Sequence, residues 1–231
     1  MWGHELWSKP VFGVAVTVAI FELSLLVSGK YKRIHPLLLC SALLIGLLVV
    51  LDIPYEDYSK GGSLITFLLG PATVALALPL YRNWSRIMAE WKPLLSGVVL
   101  GAAVSLAANA AIVYLMGGDR QLMAAMMPKS VTTPIALELV RLYGGVPELG
   151  AVFTVLTGLF GSLVGVSFLR LIGIRSDKAI GLAVGTAAHG IGTAKVMRES
   201  EVQGAYSGLA MGLMGVIMTL LSVPVTMLFF N

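Results

Sequence analysis

Met127-Pro128-Lys129-Ser130-Val131-Thr132-Thr133-Pro134 lies inside an otherwise apolar run from Leu122 to Leu139. Each proline lacks an N–H donor and crowds the preceding turn, so Pro128 and Pro134 break any helix that enters this stretch. Between the breaks stand a lysine and three hydroxyl side chains. A lysine at membrane depth costs about 2.5–3.5 kcal/mol on insertion scales, which makes an intramembrane Lys129 a candidate site residue. The stretch therefore reads as a broken membrane segment that carries part of a site.

The surroundings agree. Of 231 residues, 57% are hydrophobic and 12% charged, with a mean hydropathy of +0.89. Soluble domains are about 25% charged, so the chain reads as an integral membrane protein. Its apolar runs do not alternate, which favours a helical bundle over a barrel. Six runs are predicted to span fully: Pro10–Leu26, Pro36–Leu51, Ser63–Leu80, Leu94–Met116, Ala151–Ile172 and Ala205–Phe230. Met1 to Lys9 is polar and leads straight into the first of these, which reads as a span and not a cleaved leader. Asp52 to Gly62 reads as an acidic loop, and Gly70-Pro71 as an interruption of the third span. The lone Asn109 in the fourth span is expected to hydrogen-bond between helices. The net charge of +4 is spread over short loops, a pattern of membrane orientation and not of nucleic-acid binding. A single cysteine, Cys40, forms no intramolecular disulfide and reads as a small packed residue.

A second weak segment is Gly185-Thr186-Ala187-Ala188-His189-Gly190-Ile191-Gly192-Thr193-Ala194-Lys195. If both weak segments double back, only Lys9, Lys60, Arg120 and Arg141 fall on one side, and the remaining loop lysines and arginines fall on the other. Full crossing segregates them less well. Thr133-Pro134-Ile135-Ala136 falls on Ile191-Gly192-Thr193-Ala194 at an offset of 58 (191 minus 133), and the same offset takes Gly150 to Gly208. The predicted fold is thus an all-α polytopic membrane protein. It has about six full transmembrane helices plus two oppositely oriented re-entrant or broken segments in an inverted repeat. Residues 1–116 would form a scaffold. Residues 117–231 would form a transport core of two units, 121–172 and 179–230.

Broken helices leave backbone N–H and C=O groups unpaired in a dry setting, and helix N-termini favour anions. Lys129, Ser130, Thr132 and Thr133 from the first tip, with Thr186, His189 and Thr193 from the second, would suit a small organic anion bearing a keto or hydroxyl oxygen. His189 is also the candidate for proton coupling. Pro71, Pro128, Pro134, Gly185, Gly190 and Gly192 are the candidate hinges. The plainer readings are that the prolines only kink packed helices, Lys129 snorkels or pairs with Glu138, His189 is a structural hydrogen-bonding residue, and the glycines serve packing alone. No paired-carboxylate, metal-ligand or nucleophile pattern stands out, so no enzymatic role, metal or cofactor is expected.

The motifs Pro128-Lys129-Ser130-Val131-Thr132-Thr133-Pro134-Ile135-Ala136 and Gly185-Thr186-Ala187-Ala188-His189-Gly190-Ile191-Gly192-Thr193-Ala194 resemble those of the LrgB/CidB family of bacterial membrane proteins. The resemblance extends over nearly the whole chain, including Pro71 and the run from Ala77 to Tyr81. Gly190-Ile191-Gly192 stands where some relatives have Ala-Leu-Gly. The resemblance implies an inner-membrane location and two functional pictures. In one, such proteins work with holin-like LrgA/CidA partners to modulate murein hydrolase activity and autolysis. In the other, they move pyruvate and related short carboxylates, as a similar domain does in the chloroplast glycolate/glycerate translocator. The residues at the tips favour an elevator-like, proton-coupled carboxylate transporter, expected to be a homodimer. A holin-like regulator of lysis is the alternative.

Overall fold

The computed structural model describes residues 7–31, 36–68, 71, 74, 75 and 77–230, and among them all regular structure is helical. Contacts gather the chain into two compact units, Met1–Ala75 and Leu76–Asn231. Among the described residues, four helical segments are long and apolar enough to cross a bilayer: Pro10–Lys30, Trp91–Leu115, Pro147–Leu171 and Glu201–Phe229. Pro36–Val50 is apolar but shorter.

In the first unit, α1 (Pro10–Lys30) packs on α2 (Pro36–Val50) and α3 (Tyr55–Phe67). The crossing of α1 and α3 is close because Gly13 faces Gly61; a Cβ on Gly13 would stand 2.5 Å from the Tyr58 carbonyl oxygen. The Thr17 and Tyr58 hydroxyls share a hydrogen bond of 2.9 Å beside that crossing. Cys40 is buried in α2 as a free thiol. The acidic loop expected from Asp52 to Gly62 is instead largely helix α3. Its composition is a start signal: Pro54 precedes it with φ −59°, and Glu56 and Asp57 occupy the first turn, where the helix dipole favours negative charge. The expected third span, Ser63–Leu80, includes residues 69, 70, 72, 73 and 76, which lie outside the described residues; Pro71 is exposed.

The second unit begins with two short helices, α4 (Ala77–Arg82) and α5 (Trp84–Ala89), followed by the long α6 (Trp91–Leu115). The stretch around Lys129 then breaks as its prolines require. Helix α7 (Arg120–Met126) ends before Pro128, and α8 (Thr133–Leu142) begins with Pro134 in its first turn, where a missing N–H is harmless. At about 1.5 Å per residue, neither piece crosses a bilayer. Both outer ends meet one side chain. Arg120 lies 5.6 Å from the centroid of the Phe230 ring, and Tyr143 stacks on that ring at 5.0 Å. Residues 120–143 therefore leave and return at the same end of the unit.

After α9 (Pro147–Phe160), a π-helical turn (Gly161–Gly165) and α10 (Val166–Leu171), helix α11 (Asp177–Glu199) does the same from the other end. His189 sits at φ 40°, ψ −138°, which reverses the helix within its length. Asp177 at its start accepts a hydrogen bond of 2.8 Å from Ser200 just past its end. The final helix α12 (Glu201–Phe229) runs from this base back to Phe230. The two reversals thus enter from opposite ends of α12. Met127, Val131, Ala136 and Leu139 of the first pack with Val98 and Ala102 of α6 and Ala210, Met214 and Met218 of α12 in one buried core.

Candidate functional site

The two reversals, α6 and the α9–π-helical stretch line a half-open cavity of about 830 Å³. Helix α6 brings Gly97, Gly101, Val104 and Ser105 to it. The first tip brings Lys129 and Ser130, the π-helical turn region brings Thr157 to Phe168, and α11 brings Ala179 to Ala187, including Thr186. Glycines make the α6 wall thin: a Cβ on Gly101 would stand 2.6 Å from Thr186 Cγ2.

Lys129 is half-buried and makes no side-chain hydrogen bond or ion pair with any described residue. Glu138, the alternative partner, pairs with Arg141 one turn further along α8. The lysine is held in place through its neighbours. Ser130 is buried and its hydroxyl lies 3.0 Å from that of Ser105. Asn109 donates to the Met126 carbonyl at 3.2 Å, an oxygen that also accepts from the Lys129 N–H at the end of α7, and lies 3.5 Å from Ser105 Oγ. Asn109 is thus the interhelical hydrogen bond expected of it.

Among the predicted site residues, Lys129, Ser130 and Thr186 come together at the cavity. Thr186 also donates to the Leu182 carbonyl at 2.7 Å. Thr132 and Thr133 are half-buried at the start of α8 and do not line it. His189 and Thr193 also stand outside the lining and serve the second reversal. The His189 ring is buried with Nε2 2.9 Å from the Thr154 carbonyl oxygen, and it lies against Gly158, where a Cβ would stand 2.8 Å from Nε2. Thr193 donates to the His189 carbonyl at 2.7 Å and shares a bond of 2.9 Å with the Ser207 hydroxyl, tying the reversal to α12. Of the predicted hinges, Pro128, Pro134 and Gly190 flank the two breaks. Gly185 and Gly192 lie in helical backbone as points of close approach. A Cβ on Gly185 would overlap the Ser207 carbonyl oxygen, and one on Gly192 would stand 2.6 Å from Ala188 Cβ. Ser105 and Thr157 are lining residues that the sequence analysis did not single out. The spacing of Ser105 and Asn109, one helical turn apart, places both on one polar strip of an apolar helix and is the signal that finds Ser105.

The base of the second reversal is a polar cluster. Glu90 accepts from Lys178 at 2.5 Å and from Tyr206 at 2.9 Å. The Lys178 hydrogen bond, then that of Tyr206, holds the Glu90 carboxyl below the usual carboxylate range. Asp177 accepts from Gln203 at 2.7 Å and from Ser200, and these bonds, Gln203 first, lower its pKa in the same way. Arg170 and Lys195 both reach Glu199, at 3.4 and 3.1 Å.

Comparison with known proteins gives a consistent picture. A protein of Haemophilus influenzae, described as uncharacterized, is 37% identical over 209 residues, covering 90% of each chain. The uncharacterized protein YwbG of Bacillus subtilis is 35% identical over 216 residues, covering 93% of this chain and 96% of its own. A Bacillus mycoides protein named antiholin-like protein LrgB is 31% identical over 223 residues, 95% of this chain and 96% of its own. No solved structure matches the chain. The profile of the LrgB-like family matches residues 17–229, spanning both reversals and the cavity they line, and the chain belongs to that family.

Proposed function

We propose that this protein is an antiholin-like membrane component that modulates murein hydrolase activity and autolysis together with an LrgA/CidA-type membrane partner in the inner membrane. The name of the Bacillus mycoides relative, aligned over 95% of this chain, carries that reading. Co-expression with an LrgA-type protein in cells lacking both tests it. The expected outcome is a change in the rate of detergent-induced autolysis that requires both chains. No change from the pair would refute it.

A second reading rests on a different observation: a half-buried Lys129, unpaired among the described residues, on the wall of a cavity that Ser130, Ser105 and Thr186 also line. In this reading the protein carries small 2-oxo or 2-hydroxy carboxylates, the ammonium group holding the carboxylate and the hydroxyls the neighbouring oxygen. Its architecture is six spans plus two re-entrant hairpins related as an inverted repeat, in a homodimer. At the offset of 58, α7 and α8 fall on the two arms of α11, and Pro147–Leu171 falls on Ala205–Phe229, which supports the repeat. A core bearing both tips moves in an elevator-like manner. His189 acts there as the pin of the second tip, because its ring engages Thr154 and not the cavity. Uptake of labelled pyruvate and glycolate into proteoliposomes tests the reading. Saturable uptake lost in Lys129→Met supports it; uptake unaffected by that substitution removes the anion site.

A further inference from the structure

The cavity is long and its chemistry is graded. Along α6 it runs from Ser105 back to Gly97, and along α11 from Ala187 back to Ala179. Each is nine residues, eight steps or about 12 Å of helix. At the Lys129 end the Ser130 and Ser105 hydroxyls lie 3.0 Å apart, Thr186 stands opposite Gly101 one turn along α6, and Thr157, Val104 and Phe160 complete the lining. Away from it, towards the base of the second reversal, the cavity is an open groove bordered by Leu182 and the exposed Val164 and Phe168, with glycine and alanine between them. A volume of about 830 Å³ lies within the roughly 300–1,000 Å³ typical of sites for drug-sized ligands. A three-carbon acid would engage only the polar end and leave the apolar walls unpaired.

We propose that this cavity binds an elongated amphiphilic carboxylate, its head at Lys129 and an aliphatic or aromatic body laid along Val164, Phe168 and Leu182. The proposal rests on the carboxylate reading of the same site and assigns the shape of the acid. A bilayer phospholipid fits poorly, because its anionic group stays at the membrane surface while Lys129 lies at the tip of a reversal some distance in. An alkylammonium ion of equal length is repelled by the lysine.

The protein in nanodiscs, titrated with propanoate, hexanoate and octanoate and followed by its thermal midpoint, tests this. Octanol and octylammonium serve as controls for partition into the bilayer. The expected result is a saturable shift whose affinity rises up to about fourfold per added methylene, absent for both controls and lost in Lys129→Met. Gly165 lines the apolar end, and a Cβ there meets only Val184 Cγ2 at 3.9 Å, so the position accepts a side chain. Gly165→Leu therefore brings the ratio of octanoate to propanoate affinity towards one. Equal affinity for all three acids, an octylammonium shift matching that of octanoate, or chain-length dependence that survives Lys129→Met would each overturn the proposal. Pyruvate binding saturably with no competition from octanoate would leave the carboxylate site standing and remove the elongated ligand. Failure of every acid to bind would remove both.

Discussion

Asp177 and Ser200 are joined by a hydrogen bond of 2.8 Å although 23 positions of nominally helical chain separate them. A straight helix of that length would hold them about 34 Å apart. The bond is therefore a direct mark that α11 is folded in two, and the groups around it fix how the base responds to acid.

That response has a definite sign. Asp177 and Glu90 both have pKa values below the usual carboxylate range in the folded protein, through hydrogen bonds from Gln203 and Lys178 respectively. Their stabilising effect is present above the unfolded carboxylate value, near pH 4, and is lost as pH falls through the lower folded values. Thermal unfolding in nanodiscs should show the midpoint falling as pH drops below about 4. The fall should be shallower in Asp177→Asn, which starts from a lower midpoint.

Gly185 admits no side chain. A Cβ there would overlap the Ser207 backbone carbonyl, which cannot move without shifting α12. Gly185→Ala is expected to destabilise by about 1–3 kcal/mol or more. Gly212 on α12 has nothing within 4 Å of a built Cβ, and Gly212→Ala should be neutral or gain up to about 1 kcal/mol from helix propensity. Comparing the thermal midpoints of the two variants checks the contrast.

At the second reversal, His189→Gly and His189→Ala both lose the bond to Thr154 and leave a space against Gly158. Only glycine tolerates the φ of 40° without strain. The alanine variant should therefore be the less stable of the pair by about 1 kcal/mol, read from their denaturation curves under one condition.

Lys129→Met should raise stability while removing anion binding, because the ammonium group is half-buried and unpaired among the described residues. The gain should not exceed the roughly 2.5–3.5 kcal/mol that a lysine costs at membrane depth. A midpoint that falls would mean that Lys129 is paired in the working protein.

The sequence carried those features whose causes are local. Pro128 and Pro134 break the first segment by their own covalent structure, so that break was legible at the residue level. The second weak segment was legible from its glycines, yet the residue that reverses the chain is His189, in a conformation that L side chains rarely adopt. What holds it there is distant in sequence: Thr154 on α9 and Ser207 on α12, the latter through Thr193. The same limit applies to the cavity. Lys129 was legible as an unusual charge, but Ser105 meets Ser130 only through the packing of α6 against the first tip. Helix α3 was missed for another reason: its acidic first turn was read for polarity when it is a start signal after proline.

Gly181 and Gly185 seat against the main chain at Gln203 and Ser207, so the notches on α11 and the teeth on α12 share a pitch of one helical turn. Such a rack does not creep. A slip of an ångström or two would drive a carbonyl into a Cα, and the next register that fits lies about 5.4 Å away. The outgoing arm of α11 and α12 therefore travel as one piece or jump by a whole tooth, and graded sliding has to be found elsewhere in the molecule.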